Sequence, residues 1–450
     1  MQGRHEYTPE LFSMVSMESL IPQNHLLRRI DREIDFSFVR ELTQEFYKSG
    51  GRPSIDPEIF FRMQLIGYLY GIRSDRRLCE EVAYNLAYRW FCGLNLSDTV
   101  PDHSSMTVIR DRFGEETFES FFKKVVQICI EKNLISDHAE VGIDSSLIRA
   151  NANKDRMVRR DGKETPKRER KENSTHVSPI DPDATLASKK NSPHGLYYKA
   201  HVASELKSGV IVDTKITSGS DPDPSTLEEQ ITRMRNSGVN PSSVSADRAY
   251  GTRDAYKTLE KNEITAYIRP IRPVTEETDH WDQEFDYSSK EDAFICKRKG
   301  KKLTAEWENK NFVFYTSKAC QTCAFQSKCF ANQKKQKKRL VLSVAEKNYL
   351  HTQAYKDPEN TTKYLNQRMA ISEGVFASLK ALHCGSRMRY RGLWKCQIQG
   401  YMMAAALNIK KLASRDLIIW LQDWVRTVKL LILKIYRTIG QLFFLQPEIN

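Results

Sequence analysis

The sequence predicts an α/β protein with an all-helical N-terminal region, and three observations support this fold class. Residues 51–135 carry apolar side chains at the spacing of amphipathic helices. Residues 139–270 change to the short apolar runs that are typical of strands, with two helical segments among them. Two of these runs end in a single acid, Asp144 and Asp247. The chain therefore combines a helical part with an α/β part in which carboxylates stand at strand ends.

The order of the elements narrows the fold of the second part. Strands are predicted at 140–149, 196–204, 209–217, 243–247 and 264–269, and helices at 225–234 and 253–261. Three strands, one helix and a fourth strand that ends in an acid follow the order of a ribonuclease-H-like α/β domain. We therefore expect a ribonuclease-H-like catalytic domain, preceded by a helical domain and interrupted by a Cys-rich insertion.

The composition limits the classes of partner and compartment. The chain has 450 residues with 70 Lys and Arg against 57 Asp and Glu, and its formal net charge is +13. This charge favours a polyanionic partner, although a generic basic cytosolic protein fits it as well. No uncharged apolar run reaches about 18 residues, so no membrane span is expected. The N-terminus lacks a signal-peptide core and the nine cysteines are an odd number, so we expect a reducing cytoplasm.

The helical region has the pattern of a small DNA-binding module. One helix is predicted to begin at Pro57, a second to cover roughly 75–85, and a third to begin near 101–103 and to carry Arg110. Short helices that end in a polar-capped, arginine-bearing helix are typical of helix-turn-helix DNA readers. A plain helical bundle without DNA contacts fits the same spacing, so both interpretations stay open.

Asp144 and Asp247 are the first candidates for catalysis. Each follows a mostly apolar run, 141–143 in one case and 244–246 in the other. Burying a carboxylate at such a position is unfavourable unless a cation offsets the lost hydration. A capping or turn role would explain either aspartate alone, but the repeated pattern favours a site for divalent metal ions, which prefer oxygen ligands.

A third acid, Glu373, lies in a helix predicted over 367–382. Lys380 follows seven residues later, which places the two side chains about 20° apart around the helix and about 10 Å apart along it. This spacing suits a metal ligand beside a phosphate contact, and it also suits an ordinary solvated face. Tyr364 and Arg368 fall nearer the other side of an ideal helix.

Four cysteines form a separate candidate site. Cys320 and Cys323 make a CxxC pair, with Cys329 after it and Cys296 upstream. Four thiols of this kind fit a tetrahedral structural Zn²⁺ ion. Reduced thiols in a small β-insertion that binds no metal are an equal alternative.

These motifs resemble those of a known family, over roughly residues 15–413. Bacterial insertion-sequence transposases of the DDE type carry a Tyr-Arg-Glu-Lys signature, which is similar to Tyr364, Arg368, Glu373 and Lys380. The segments Gly-Ile-Asp-Ser-Ser around Asp144 and Ala-Asp-Arg-Ala-Tyr-Gly around Asp247 resemble that family's two aspartate motifs. Residues 51–110 resemble its helical N-terminal domain, and residues 389–393 with Asn408 resemble its C-terminal end.

The resemblance implies a DDE transposase that cuts double-stranded DNA at transposon terminal inverted repeats and transfers the cut strand into target DNA. It implies two Mg²⁺ ions, for which Mn²⁺ can substitute, and the metal ligands and catalytic residues are then Asp144, Asp247 and Glu373. The DNA contacts that it implies are Tyr364, Arg368 and Lys380. It also implies a homo-oligomer on DNA in a bacterial cytoplasm, associated with the nucleoid when bound to DNA, and no membrane partner.

Five segments are expected along the chain: a helical DNA-binding domain at 1–135, the first part of the catalytic domain at 136–275, the insertion with a possible zinc knuckle at 276–345, the last part of the catalytic domain at 346–413, and an amphipathic helix at 414–450. The last segment fits packing on its own chain or on a second copy better than a membrane surface. Two rival functions remain open: a catalytically inactive DNA-binding regulator derived from a transposase, and a ribonuclease-H-like nuclease that cuts without joining.

Overall fold

The structure is a computed structural model, and it describes residues 16–47, 50, 54–163, 170–189, 192–271, 285–288, 291, 293–308, 311–315, 323–324 and 339–415. The chain divides into two compact units, one up to Thr117 together with residues from Ala406 onward, and the other from Phe118 to Ala405. No helix in the described ranges has the length and apolar character to span a membrane. The expected five-segment division stays a prediction, and the predicted helix at 414–450 lies outside the described residues from 416 onward.

The first unit is helical in its described part. Its helices are α1 (Met17–Leu20), α2 (Leu26–Glu33), α3 (Phe38–Thr43), α4 (Pro57–Leu69), α5 (Asp75–Tyr84), α6 (Leu86–Phe91) and the beginning of α7 (His103–Glu131). The expected helix starts are confirmed: Asp56 accepts the Glu58 N–H at 2.8 Å ahead of Pro57, and Asp102 accepts the Ser104 N–H at 2.6 Å.

Arg110 does not act as the exposed reader that the helix-turn-helix interpretation would need. Its side chain is buried, and its guanidinium pairs with Asp75 at 2.6 Å, so it ties α7 to α5. Burial of the cation with its partner inside the protein leaves no charge for a phosphate at this position. Any DNA contact of this unit must use other side chains.

The second unit is built on a mixed sheet. The strands up to residue 267 are β1 (Ala139–Arg149), β2 (Val158–Arg159), β3 (His176–Val177), β4 (Thr185–Lys189), β5 (Ser192–Glu205), β6 (Ile211–Ser218), β7 (Pro241–Ala246) and β8 (Thr265–Tyr267). Six of them form one sheet in the order β4-β5-β1-β7-β8, with β6 also paired to β5. β5 is antiparallel to β1 and β6, whereas β7 is parallel to β1 and β8.

The expected strands and helices of this unit are confirmed to within a few residues. Helices α8 (Leu227–Asn236) and α9 (Arg253–Lys261) precede β7 and β8 and provide the crossovers that parallel strands require. Gly251 lies in the connection after β7, where an added Cβ would come within 2.2 Å of the Arg269 carbonyl oxygen. Only glycine therefore fits this crossing of the backbone.

The remaining elements follow the sheet in sequence. They are β9 (Phe285–Ser288), β10 (Ala293–Cys296), β11 (Thr304–Glu308), β12 (Asn311–Tyr315), β13 (Arg339–Ser343), α10 (Val344–His351), α11 (Gln353–Lys356), α12 (Pro358–Leu382) and α13 (Leu393–Ala413). On α13, the Gln397 amide accepts from the Ile216 N–H at 2.7 Å and donates to the Thr214 carbonyl at 3.1 Å. This side chain thereby satisfies backbone groups of β6.

Candidate active site

Asp144 and Asp247 lie side by side at one edge of the sheet. β1 and β7 are parallel, and the last matched pair of their register is Ile143 with Ala246. Each aspartate follows its member of that pair, so their backbones are separated by about one strand spacing, roughly 5 Å. Asp247 also caps the 3-10 turn Arg248–Tyr250 by accepting the Ala249 N–H at 3.0 Å. The structure thus brings together two of the three predicted acids.

The Asp144 carboxylate is held by two donors. The Ser145 N–H donates to Oδ1 at 2.8 Å, and the Arg368 guanidinium donates to Oδ2 at 2.8 Å. The side chain keeps 26% of its surface exposed. Burial raises the pKa of Asp144 above its usual value, Arg368 opposes that rise, and the nearby charge of Asp247 adds to it. A second cation at this pair would therefore be electrostatically favoured.

Helix α12 lies along the face of β1 that carries Asp144. Besides the Arg368 contact, the Tyr364 hydroxyl donates to Glu140 at 2.7 Å and the Lys380 ammonium donates to the Ser146 hydroxyl at 2.6 Å. Residues 140, 144 and 146 share one face because side chains alternate along a strand. Three residues of the predicted signature therefore contact the strand of the first aspartate.

Gly142 makes this close approach of α12 possible. A Cβ at this position would lie 2.7 Å from the Leu206 Cδ2 and 3.0 Å from the Arg368 Cγ. Nearby, the Tyr364 ring stacks on Tyr267 with a centroid distance of 4.2 Å. The hydrogen bond to Glu140, followed by burial, raises the pKa of the Tyr364 phenol to about 12. Tyr364 is thus engaged inside the protein, and its predicted contact with a nucleotide stays a prediction.

Glu373 is not joined to the aspartate pair. It follows Arg368 by five residues, which turns it about 140° away around the helix, and its side chain is exposed. Within the described part of the chain, no group of three His, Cys, Asp or Glu side chains is placed to hold a metal ion. Glu373 shares a helix face with Lys380, because seven residues separate them. Its role as the third acid stays a prediction.

Several polar residues next to the aspartates were missed from the sequence. Lys199 and Asp223 form an ion pair at 2.8 Å, and the Ser145 hydroxyl donates to Asp223 at 2.8 Å. The Lys189 ammonium reaches the Ser145 carbonyl at 3.4 Å. The lysine at position 199, inside a strand and directly after two buried tyrosines, is the signal that could have revealed this cluster.

Two buried side chains continue this cluster. The His201 ring bonds the Thr217 hydroxyl through Nε2 at 3.0 Å and the Tyr250 hydroxyl through Nδ1 at 3.4 Å. Burial lowers the pKa of His201 to about 4, although the charge of Asp223 acts in the opposite direction. The imidazole is therefore neutral at physiological pH.

The buried imidazole predicts acid sensitivity. The folded pKa of His201 lies below the unfolded value of about 6.5, so the unfolded chain binds the extra proton first as the pH falls. The contribution of His201 to the free energy of unfolding is present above about pH 6.5 and is lost as the pH falls toward about 4. Between pH 7 and pH 5 the loss is about 2 kcal/mol. Urea unfolding at both pH values measures the loss, which His201→Gln should abolish. An unchanged loss in the variant would contradict this account.

The four cysteines of the predicted zinc site are only partly described. Cys296 and Cys323 are half-buried free thiols, whereas Cys320 and Cys329 lie outside the described residues. The zinc site therefore stays a prediction.

Family models assign the class of the protein. The model described as a transposase domain (DUF772) matches residues 15–112, and the model described as a transposase DDE domain matches residues 294–413. The first covers the helical region with α1 to α6, and the second contains Glu373 and Lys380. The chain is a DDE-type transposase, an enzyme that cleaves DNA and transfers strands.

Solved structures give more remote similarities. A piggyBac transposase synaptic complex with hairpin DNA is 13% identical, with a TM-score of 0.34, over 87% of this chain and 74% of the other. A pre-cleavage Mos1 transpososome is 13% identical, with a TM-score of 0.17, over 49% of this chain and 61% of the other. A Mos1 mariner paired-end complex with Mn is 12% identical, with a TM-score of 0.17, over 52% of this chain and 65% of the other. No curated protein matches the chain.

Proposed function

We propose that this transposase cuts DNA at the terminal inverted repeats of its own element and joins the cut ends to target DNA, with Asp144, Asp247 and Glu373 as its catalytic acids. The observation that carries the proposal is the adjacency of the two aspartates at the ends of parallel strands β1 and β7. Three antiparallel strands followed by two parallel ones also fit a ribonuclease-H-like catalytic domain.

The aspartate pair fits divalent metal ions. Burial, and to a smaller extent repulsion from Asp247, raises the pKa of Asp144, and a divalent cation would offset both effects. Mg²⁺ and Mn²⁺ prefer oxygen ligands. Asp144 and Asp247 would hold the metal, with Glu373 as the proposed further ligand. When bound, such ions supply Lewis-acid stabilisation of the oxygens of a reacting phosphodiester.

Cations around the acids would bind the DNA backbone. Burial, followed by repulsion from Lys189, lowers the pKa of Lys380. A phosphate between two such ammonium groups would relieve this repulsion, so the site favours a polyanion. Together with Arg368, these side chains would position the scissile strand without reading its sequence.

The test uses purified full-length protein and linear duplexes that carry the two genomic segments flanking its gene. With Mg²⁺ or Mn²⁺ we expect strand cleavage at the element ends and, with pre-cut ends, strand transfer into a plasmid. Duplexes of equal length from an unrelated locus and reactions with EDTA serve as controls. Light scattering of the complex on these duplexes measures whether the chain acts as the homo-oligomer that we include in the proposal.

The outcomes separate the rivals. Binding to the flanking segments without cleavage in either metal would favour the regulator. Cleavage without any transfer from pre-cut ends would favour the nuclease.

A further inference from the structure

A layer of polar side chains lies beneath the aspartate pair, on the face of the sheet opposite α12. We propose that its buried ion pair, Lys199 with Asp223, positions Asp144 for metal binding by fixing the residue that follows it, Ser145. The inference rests on the proposed function of Asp144 and Asp247. It adds two residues that are expected to contact neither DNA nor the metal.

Ser145 connects this layer to the site through all three of its polar groups. Its N–H donates to Asp144 Oδ1 at 2.8 Å, its hydroxyl donates to Asp223 at 2.8 Å, and its carbonyl accepts from Lys189 at 3.4 Å. A residue bonded in this way has little freedom to rotate. Because one of these bonds ends on the Asp144 carboxylate, the orientation of that carboxylate depends on the anchor at Asp223.

The anchor itself is buried. The side chains of Lys199 and Asp223 are 10% and 13% exposed, and the ammonium also donates to the Asp221 carbonyl. Buried ion pairs add little net stability compared with apolar residues of similar size. The location of this pair below Asp144 is therefore better explained by orientation than by stability.

A second connection reaches Asp247. His201 is the register partner of Ser145 across β1 and β5, and its ring contacts the Tyr250 hydroxyl at 3.4 Å. Tyr250 ends the 3-10 turn that Asp247 caps. The same layer therefore lies under both aspartates, so a change in it would alter their separation as well as the orientation of Asp144.

The experiment measures Mn²⁺ binding to the full-length protein without DNA, by electron paramagnetic resonance titration. Loss of a residue that orients a metal ligand typically weakens metal affinity about 10- to 100-fold. We expect a weakening of at least about 10-fold in Asp223→Asn and in Lys199→Met, and recovery of most of the affinity in Lys199→Arg. Cleavage of the flanking duplexes should show a lower kcat at an unchanged KM for DNA.

Asp213→Asn is the matched control. Asp213 is another buried aspartate of the same unit, on β6, with 5% of its side chain exposed, and it pairs with Arg233 at 2.9 and 2.7 Å. Its loss should lower stability and leave Mn²⁺ affinity within about twofold of wild type, because a purely structural ion pair does not orient the site. An equal loss of affinity in this control would overturn the proposal.

Two further variants keep the test decisive. If Asp223→Asn does not fold, Ser145→Ala removes only the hydroxyl link, and unchanged Mn²⁺ affinity in that variant would overturn the inference. Asp144→Asn is the reference for the site itself. Wild-type Mn²⁺ binding and cleavage in Asp144→Asn would sink the proposed function, whereas an inactive Asp144→Asn beside a normal Asp223→Asn would sink only the inference.

Discussion

Replacing either Asp144 or Asp247 by Asn should reduce strand cleavage by at least about 1,000-fold, which corresponds to about 4 kcal/mol of transition-state stabilisation. The amide has nearly the size of the carboxylate and can still accept the Ser145 or Ala249 N–H, but it lacks the charge that holds a divalent ion. Quantitative cleavage of the flanking duplexes in Mg²⁺ measures the effect. Binding of the same duplexes should persist, because Arg368 and Lys380 remain.

Asp254→Asn is the control for these two variants. Asp254 is an exposed aspartate in the first turn of α9, seven residues after Asp247, and its neutralisation should leave cleavage within about twofold because the reaction does not need its charge. Wild-type cleavage by both site variants would end the assignment of this pair as catalytic.

Neutralising Glu373 should have an effect of the same order, at least about 1,000-fold on cleavage, without a loss of stability. Its side chain is exposed, so Glu373→Gln leaves no unpaired buried group and should shift Tm by less than about 1 °C. Differential scanning calorimetry and the cleavage assay on the same preparation measure both quantities. A large loss of activity in a fully stable protein would separate a chemical role from a structural one.

Glu359→Gln tests whether charge on α12 matters in general. Glu359 is exposed in the first turn of the same helix. Its neutralisation should change neither the Tm nor the rate of DNA cleavage. If Glu373→Gln cleaves DNA normally, Glu373 is not the third acid.

The strands follow from local sequence, and the adjacency of the two aspartates follows once β1 and β7 are taken as parallel neighbours. Apolar runs define β1 and β7, and an acid directly after each run meets the other wherever the two strands are parallel neighbours. The helix with Glu373 and Lys380 could be predicted for the same reason, since seven residues return to the same face. The elements needed only the periodicity of the chain, whereas the adjacency also needed the order of the strands in the sheet.

Contacts between distant elements could not be predicted in this way. The pairing of Arg368 with Asp144 depends on which side of α12 packs on β1. Periodicity does not predict that side for a helix whose polar and apolar residues are mixed. The inward turn of Arg110 toward Asp75 depends similarly on the packing of α5 against α7. The pair of Lys199 and Asp223 joins residues 24 positions apart in sequence, and no local pattern links them.

Sequence drift in this transposase should be restricted at a position that takes no part in chemistry. Exposed residues of α12 other than Glu373 can change more freely, because solvent accommodates them. At position 142 even one methyl group would lie 2.7 Å from the Leu206 Cδ2 and 3.0 Å from the Arg368 Cγ, so both side chains would have to move and the Arg368 guanidinium would shift relative to Asp144. The place of the cation beside the first aspartate is thus set by the smallest residue of the strand below it.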